Sequence, residues 1–370
     1  MKLIKHSKPS IDKKDILKVV SSIETGWLAH GNNNNEFENN FKKKIGVKYA
    51  ISCNSWTSGA FALLENLPKK GEIIIPSFTF VATANVVVNS GNIPVFCDID
   101  YNTGNVTAEH IEKCISKNTI ALMIVHFAGQ TCEMNNILKL CSSNKILLIE
   151  DSAENLGGVY HSKYAGSFGT SIFSFFPSKN ITTGEGGMIT TNNKRIYNKL
   201  KFYIAHGVKK SKYKKWHRDA IMSGHNFRLT NFQAALGLSQ LKKIDKLNNR
   251  RIKIAKIYDS GLRKIKEITI LKNKKYIKNV YQMYFIKVDK KLRNKLIFYL
   301  NQYGIEASVH FDPPIHKQTF YKKYFKKVLK LSNTERLSSE IVTLPMYPDL
   351  KFIDQKKVIK KIHDFFNNNK

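Results

Sequence analysis

From about residue 45 to residue 190, short apolar runs alternate with stretches that have helical apolar spacing. This alternation constrains the fold most strongly, because strands separated by crossover helices pair in parallel within one buried sheet. The apolar runs predict strands at 49–53, 72–76, 95–98, 120–127, 146–149, 171–175 and 187–190. The stretches between them predict helices at 57–67, 80–90, 107–114 and 134–142. We therefore expect an α/β domain with a mainly parallel, seven-stranded sheet.

The chain has a different texture after the last predicted strand. Apolar residues recur at three- and four-residue intervals over 231–257, which predicts one long helix. Lys-rich helical stretches and a strand at 282–288 then indicate a smaller α+β domain. Since no Gly-, Ser- or Pro-rich linker separates the halves, we predict a large domain over 1–248 and a small domain over 249–370, with the long helix as a packed hinge.

The chain is strongly basic, with 61 Lys and Arg against 28 Asp and Glu and a net charge of +33. A charge of this size raises the question of nucleic-acid or membrane-surface binding. The basic residues are nevertheless spread in short groups, such as Lys274-Lys275 and Lys322-Lys323, without a long arm or zinc-finger spacing. We interpret them as a solvated surface that can steer an anionic substrate. Salt-dependent binding to random DNA without a cofactor chromophore would instead favour a nucleic-acid-binding protein.

Cysteine usage and hydropathy bear on the compartment. The five cysteines are an odd number without metal-ligand spacing, which is typical of reduced structural thiols. Residues 1–10 are polar and basic, and no run of 18 apolar residues occurs. We expect a cytoplasmic protein with no bound metal and no membrane insertion.

Polar residues that directly follow a predicted strand are the first site candidates, since ligands of open α/β sheets bind beyond the carboxyl ends of the strands. A hydroxyl-rich turn with Thr57 and Ser58 leads into a helix and could hold a phosphate, although ordinary helix capping by itself explains such a turn. Asp151 ends a buried strand and needs a cationic partner there. A protonated pyridine nitrogen would serve as that partner, and a structural role in a salt bridge or a helix cap is the alternative.

Lys179 is the third candidate. It lies just beyond an apolar strand among aromatic residues, where desolvation would lower the pKa of its amine and favour Schiff-base formation. Most lysines of this chain have a surface role by default. Lys179 differs because the hydroxyl of Ser174 precedes it and the glycine-rich turn at 183–187 follows it, which lets the backbone pass close to a ligand.

Several of these segments occur together in one known family. Phe-Ser-Phe-Phe-Pro-Ser-Lys-Asn at 173–180, Thr-Gly-Glu-Gly-Gly at 183–187 and Glu-Asp-Ser-Ala-Glu at 150–154 resemble the DegT/DnrJ/EryC1/StrS family of pyridoxal-phosphate (PLP) sugar aminotransferases. Segments 76–83, 125–130, 226–231 and 343–346 extend the likeness over nearly the whole chain. The resemblance implies the fold-type I architecture and a homodimer with shared active sites. It also implies transfer of an amino group, with glutamate as donor, to a nucleotide-linked keto sugar in surface-polysaccharide or deoxyaminosugar biosynthesis.

The resemblance also assigns roles to single residues. It makes Lys179 the lysine that holds PLP covalently and moves the proton, and Asp151 the partner of the pyridine nitrogen. Phe80 takes the place of a ring that stacks on the cofactor, although it could be an ordinary core residue. Glu154 stands where the family often has Gln, and a Glu there also occurs in enzymes similar to perosamine synthases.

The remaining assignments concern the phosphate and the substrate. Thr57, Ser58 and Ser174 match phosphate contacts within the chain, and Asn226 matches a phosphate contact from the neighbouring subunit. The segment 308–316 is similar to a family segment near the sugar nucleotide, which makes His310 and His316 candidate substrate contacts or, equally, structural residues.

Two relatives within the same family are alternatives. A PLP-dependent sugar dehydratase dispenses with the covalent lysine and typically has His in its place, so Lys179 argues against it. A non-catalytic relative would keep the fold without turnover. The sequence leaves open which sugar and nucleotide are used and whether carbon 3 or carbon 4 is aminated.

Overall fold

A computed structural model of the chain describes residues 3–211, 216–271, 273–325 and 329–368. Its strands, numbered in chain order, are β1 Tyr49–Cys53, β2 Glu72–Pro76, β3 Ile93–Cys97, β4 Thr119–Val125, β5 Leu147–Asp151, β6 Val159–Tyr160, β7 Lys163–Tyr164, β8 Thr170–Ser174, β9 Gly187–Thr191, β10 Val208–Lys210, β11 Arg218–Ala220, β12 Thr269–Ile270, β13 Ile277–Lys278, β14 Tyr284–Lys287 and β15 Ile341–Leu344.

The helices alternate with these strands in the first half of the chain and dominate the second. They are α1 Lys13–Glu24, α2 Asn32–Ile45, α3 Trp56–Glu65, α4 Ala82–Asn89, α5 Ala108–Glu112, α6 Met134–Ser143, α7 Lys194–Tyr203, α8 Asn231–Lys242, α9 Ile244–Leu262, α10 Lys290–Gln302, α11 Thr319–Tyr324, α12 Ser332–Glu340 and α13 Phe352–Asn368. None of the helices in the described part of the chain is long and apolar enough to cross a membrane.

The central sheet has seven strands in the order β1-β9-β8-β5-β4-β2-β3. β9 runs antiparallel to both of its neighbours, whereas the other adjacent strands pair in parallel. All seven strands expected from the sequence lie in this sheet, with ends shifted by a residue or two. The prediction of a mainly parallel seven-stranded sheet is confirmed.

Helices cover both faces of the sheet, and strand β2 shows the consequence. Ile73, Ile74 and Ile75 are all fully buried. Ile73 and Ile75 belong to one apolar cluster and Ile74 to another on the opposite face, as the two-residue period of a strand requires. This two-sided burial explains why the strands appear in the sequence as continuous apolar runs.

The second half contains a small antiparallel sheet in the order β12-β14-β15. Its core joins Ile286 of β14 to Leu296 of α10 and Val358 of α13. The N-terminus returns to this region, since Ile4 pairs with Ile305 and is buried in the same cluster. A strand was expected at 282–288, and β14 is its shorter counterpart. The domain limit at residue 248 stays a prediction.

The single long helix predicted at 231–257 is wrong. Helix α8 ends at Lys242 and α9 begins at Ile244, with Lys243 between them at φ −110° and ψ 7°. The ammonium of Lys243 binds the carboxylates of Asp12 and Asp15, more than two hundred residues away along the chain. α8 packs on α1 and α2, whereas α9 packs on α13. The break therefore lets two successive amphipathic segments face different parts of the molecule, which apolar spacing alone does not reveal.

Candidate active site

A cavity of about 450 Å³ opens at the carboxyl ends of the parallel strands. The ends of β4, β5 and β8 contribute Val125, Asp151 and Ser174 to its wall. The segments that follow β1 and β2 add Ser55, Trp56, Thr57, Thr79, Phe80, Ala82 and Thr83. Gln282, Met283, His310 and Phe311 close it from the C-terminal part of the chain. This is the edge at which a doubly wound sheet is expected to bind its ligand.

Asp151 lies at the floor of this cavity and is 4% exposed. Its carboxylate accepts hydrogen bonds from the Ala153 amide at 3.0 Å and from the Thr83 hydroxyl at 3.2 Å. Burial raises the pKa of the Asp151 carboxyl to about 7, and the nearby Glu154 adds to this rise, while Lys179 opposes it. Two donors are few for a buried carboxylate, which has about four lone-pair sites, so the charged form has room for a cationic partner.

Lys179 lies in the turn after β8, and its side chain is 18% exposed. The amide of Lys179 donates to the Phe176 carbonyl at 2.9 Å, which forms the turn. Its Nζ lies 3.6 Å from Oε1 of Glu154, whose Oε2 accepts from the Ala128 amide at 2.9 Å. The amine is thereby directed into the cavity that Asp151 also lines.

Three side chains from beyond the sheet hold the lysine turn at successive residues. Gln282 Nε2 donates to the Ser178 carbonyl at 3.0 Å. Arg251, which is 2% exposed, donates to the Lys179 carbonyl at 3.4 Å and to the Gln282 carbonyl at 3.0 Å. Asn180 donates to the side chain of Asn248 at 2.8 Å. These bonds tie the turn that carries Lys179 to α9 and to the C-terminal part of the chain.

The hydroxyl-rich turn after β1 forms one end of the cavity. Thr57 is exposed and lines it together with Ser174 from β8. Ser58, in contrast, lies outside the wall, and its hydroxyl bonds to Asn54 and Ser55 at the start of α3. A side chain at Gly187 would come within 2.7 Å of the Ser55 carbonyl oxygen, so glycine is needed where β9 passes this turn.

Phe80 lies at the cavity, whereas Asn226 lies outside it. Phe80 is 64% exposed and forms part of the cavity wall, so it is not an ordinary core residue. Asn226 is exposed, lies outside the wall formed by its own chain, and accepts a bond of 2.9 Å from Arg228 Nε.

Of the two candidate histidines, His310 lies at the cavity and His316 does not. His310 lines the cavity, and its Nδ1 pairs with the Thr343 hydroxyl at 2.9 Å. Burial lowers the pKa of His310 to about 3, so its ring is neutral at ordinary pH. His316 is buried away from the cavity, with Nδ1 2.7 Å from the Ser77 hydroxyl and Nε2 3.3 Å from Glu335. These contacts favour a structural role for His316.

Sequence reasoning missed several polar residues of the cavity, among them Thr83, Glu185 and Gln282. Thr83 donates to Asp151, and Glu185 and Gln282 line the wall. Thr83 and Glu185 lie inside segments that carry the family resemblance, so position within those segments was an available signal. Gln282 had none, because it reaches the site from a distant part of the chain.

The residues present fit PLP by their chemistry. The hydroxyls of Thr57 and Ser174 at the start of α3 and the end of β8 suit a phosphate. The desolvated Asp151 suits a protonated ring nitrogen, and the amine of Lys179 suits an aldehyde carbon. All four side chains line one cavity large enough for the cofactor and part of a substrate.

Comparisons with known proteins agree with this chemistry. The profile of the DegT/DnrJ/EryC1/StrS aminotransferase family matches residues 9–363. The spore coat polysaccharide biosynthesis protein SpsC of Bacillus subtilis is 32% identical, and the match covers 97% of this chain and 96% of that protein.

Solved structures give the same result. PseC of Helicobacter pylori, an aminotransferase involved in the biosynthesis of pseudaminic acid, superposes with a TM-score of 0.95 at 32% identity and covers 99% of this chain and 100% of its own. The PLP form of a Streptococcus pneumoniae protein described as a sugar aminotransferase has a TM-score of 0.92 at 26% identity and covers 99% of each chain. The fold-type I architecture expected from the sequence is confirmed.

Proposed function

The chain belongs to the DegT/DnrJ/EryC1/StrS family of sugar aminotransferases, and from that premise we propose that it uses PLP to convert the keto group of a nucleotide-linked sugar into an amine. The observation that carries the proposal is the placement of the Lys179 amine and the desolvated Asp151 carboxylate in the wall of one cavity. A dehydratase of the same fold lacks the lysine, so Lys179 favours amino transfer.

Five side chains are proposed to hold the cofactor. Asp151 holds the ring nitrogen in its protonated form, Phe80 covers one face of the ring, and Thr57 and Ser174 hold the phosphate. When bound, PLP supplies an electron-withdrawing ring that stabilises negative charge on the carbon next to the transferred nitrogen. Ser58 supports the phosphate end through its bonds at the start of α3.

The proton transfers are assigned to Lys179. Its amine stands over the cavity and can accept a proton from the amino donor and return it to the sugar. Glu154 holds this amine at 3.6 Å and keeps a cationic ammonium in place between transfers. Because the turn that carries Lys179 is tied down by Gln282, Arg251 and Asn248, the amine keeps its position as protons are exchanged.

The substrate is proposed from the chemistry of the cavity and the names of the relatives. SpsC acts in polysaccharide biosynthesis and PseC in pseudaminic acid biosynthesis. The net charge of +33 favours an anionic substrate, such as a nucleotide-linked sugar, over a neutral one. Glutamate is the proposed amino donor. Five unpaired cysteines favour a cytoplasmic location for the reaction.

We further propose a homodimer in which Asn226 contacts the phosphate of the neighbouring site. Asn226 is exposed and outside the cavity of its own chain, so it is free to face a partner. A set of large apolar side chains on the surface of the chain also needs a cover. Those of α1 and the segment after it are 42–62% exposed, namely Ile16, Leu17, Val20, Ile23, Trp27 and Leu28. An apolar patch of this kind is typical of a protein interface.

The first experiment tests the cofactor and its lysine. The purified protein should be yellow, and borohydride reduction followed by peptide mapping should place the phosphopyridoxyl label on Lys179. A label on another lysine would refute this assignment. Glutamate should bleach the chromophore, and product analysis with keto sugars should give an aminosugar, whereas a dehydratase would give a deoxy sugar without nitrogen.

The second experiment tests the shared site with two inactive variants, Lys179→Ala and Asn226→Asp. A mixed dimer would place both changes in one site and neither in the other, as a two-fold interface requires. After subunit exchange, each heterodimer should have up to about half the activity of a wild-type dimer. If confirmed heterodimers stay inactive, Asn226 does not serve the neighbouring site.

A further inference from the structure

A recess of about 90 Å³ adjoins the active-site cavity on the side of the N-terminus. Ser178, Gln282, Met283 and His310 line both spaces, so the recess lies directly beside the site. Its far wall comes from His6 and Ser7. Neither residue belongs to a helix or strand, and neither was singled out by its sequence pattern. We call this space the N-terminal recess.

The N-terminal recess collects polar atoms that lack a hydrogen bond. Eleven buried side-chain N or O atoms in the described residues have no partner, and three of them belong to residues of this recess: His6 Nδ1, Ser7 Oγ and Gln282 Oε1. Each buried polar atom without a partner costs about 1–3 kcal/mol. Such a concentration beside an active site indicates groups kept for a ligand, because native structures otherwise satisfy them.

The backbone holds this wall in place. The Ile4 amide donates to the Gly304 carbonyl at 2.8 Å, and the Met346 amide donates to the His6 carbonyl at 3.0 Å. The His6 amide also donates to the Glu306 carboxylate at 2.8 Å. With its main chain bound on both sides, the segment presents His6 and Ser7 to the recess in a fixed arrangement.

The charge of the recess restricts what can bind. No Lys, Arg, Asp or Glu contributes to its wall as far as the chain is described. His6 stacks on His310 with ring centres 5.5 Å apart. Burial lowers the pKa of both rings, which leaves them uncharged at ordinary pH. A carboxylate or phosphate would find no cation here, so an uncharged group with donors and acceptors is favoured.

The size of the recess gives the second restriction. A water molecule takes about 30 Å³ of liquid volume, so 90 Å³ holds about three waters or one small substituent. A whole sugar ring does not fit. A hydroxyl, hydroxymethyl or acylamino group on a ring in the main cavity does.

We propose that the N-terminal recess binds an uncharged, hydrogen-bonding substituent of the sugar and that His6 and Ser7 thereby select which sugar is aminated. This inference rests on the proposed function, since it takes the sugar ring to occupy the cavity beside Lys179. The amino donor does not need the recess, so the two halves of the reaction separate its role from a general effect on the site.

The test compares Ser7→Ala and His6→Phe with the wild-type holoenzyme, and Ser10→Ala serves as a matched control outside the recess. The glutamate half-reaction is followed by cofactor absorbance. The sugar half-reaction is measured with a panel of UDP-, GDP- and dTDP-linked keto-hexoses. Each variant should lower kcat/KM for the accepted sugar about tenfold, the effect of one hydrogen bond, and leave the glutamate rate within about twofold.

Analogues of the sugar substrate identify the substituent that enters the recess. Among analogues of the accepted sugar that lack one substituent, the one that vacates the recess should react equally with wild type and Ser7→Ala. Equal losses in both half-reactions, or no loss in either, would overturn the inference and leave a recess that holds water only. A wild-type enzyme that reacts with glutamate and with no keto sugar would refute the proposed function instead, and the inference with it.

Discussion

Strand β5 ends in two neighbouring carboxylates, Glu150 and Asp151, that face opposite sides of the sheet. Glu150 is fully buried on the rear face and accepts amide bonds of 2.7–2.8 Å from Gly166, Phe168 and Gly169. His126 Nε2 lies 3.0 Å from the same carboxylate. Among the described residues, Asp151, on the cavity face, accepts from the Ala153 amide and the Thr83 hydroxyl alone.

The number of donors distinguishes a structural carboxylate from a functional one. His126 Nδ1 accepts from the Cys132 amide at 3.1 Å, so Nε2 carries the proton and donates to Glu150. Four donors complete Glu150 without any ligand. Asp151 is left with unfilled capacity at a cavity, which is the condition for binding a cationic group. Two residues of the same strand and nearly the same burial therefore differ in one respect: the protein satisfies Glu150, whereas Asp151 keeps acceptor capacity for the cofactor contact proposed above.

The largest effect should come from the cavity face. Lys179→Ala should lower turnover by on the order of 10⁴-fold, because both cofactor attachment and proton transfer depend on the amine. The variant should still bind PLP weakly, and in the cofactor-free form it should unfold at nearly the wild-type temperature. Steady-state kinetics and thermal unfolding measure both effects, with Lys163→Ala, at an exposed position outside the cavity wall, as control. Near-normal turnover would remove Lys179 from the mechanism.

Asp151→Asn should be the next most harmful change. A neutral amide keeps the shape and can still accept from Ala153, but it no longer favours a protonated ring nitrogen. We expect turnover to fall about 10²–10³-fold while the fold is kept. Activity and circular dichroism of the purified variant check this. Near-normal activity of Asp151→Asn would show that the difference between Glu150 and Asp151 has no bearing on the reaction.

In the cofactor-free protein, the buried Asp151 carboxylate should lower the free energy of unfolding in a way that depends on pH. Burial raises the pKa of the Asp151 carboxyl from 3.8 to about 7, so the folded chain holds this proton more tightly than the unfolded chain. The Asp151 contribution to the free energy of unfolding should therefore fall as pH rises from about 4 to about 7, by on the order of 3 kcal/mol. Above pH 7, Asp151→Asn should be more stable than wild type.

Urea unfolding of both proteins at pH 5 and pH 8 measures that difference. The stability of the variant relative to the wild type should rise by on the order of 2–3 kcal/mol between pH 5 and pH 8, because the folded wild type loses its Asp151 proton over that range. A stability gap that does not change with pH would show that Asp151 is not desolvated in this way.

Glu150→Gln tests the rear face. The amide would keep one acceptor oxygen but would turn its NH₂ group toward backbone amides that are donors themselves. We expect a loss of about 2–3 kcal/mol in the free energy of unfolding, with the folded fraction as active as wild type. Glu109→Gln, in an exposed pair with Lys113, is the matched control and should change stability by less than about 0.5 kcal/mol. If Glu150→Gln instead abolished activity at unchanged stability, Glu150 would have a functional role and the contrast with Asp151 would be wrong.

The smallest effect should come from Glu154→Gln on the cavity face. The amide oxygen can still accept from the Ala128 amide, so only the charge beside Lys179 is lost. We expect kcat/KM to fall by less than about tenfold, the effect of one charge in a partly screened site. Glu154→Ala, which also removes the acceptor, should be worse. Equal losses in the two variants would indicate that the charge of Glu154 matters more than its hydrogen bond.

The sequence was sufficient for the sheet and for the centre of the site. The seven strands are apolar runs bounded by polar residues, and that pattern is local. Asp151 and Lys179 each follow one of these strands, so the parallel topology alone brings them to one edge of the sheet. Family resemblance then supplied the roles proposed for the two residues.

Contacts between distant segments decided the rest. The break at Lys243 depends on Asp12 and Asp15, and His316 is held by Ser77 and Glu335. The N-terminal recess likewise exists because the chain end returns to pack beside residue 346. Periodicity and strand-end position are properties of neighbouring residues, so the sequence determined where strands end and which polar groups follow them. Which of those groups are satisfied by the protein, and which are left for a ligand, depends on donors that only folding brings near.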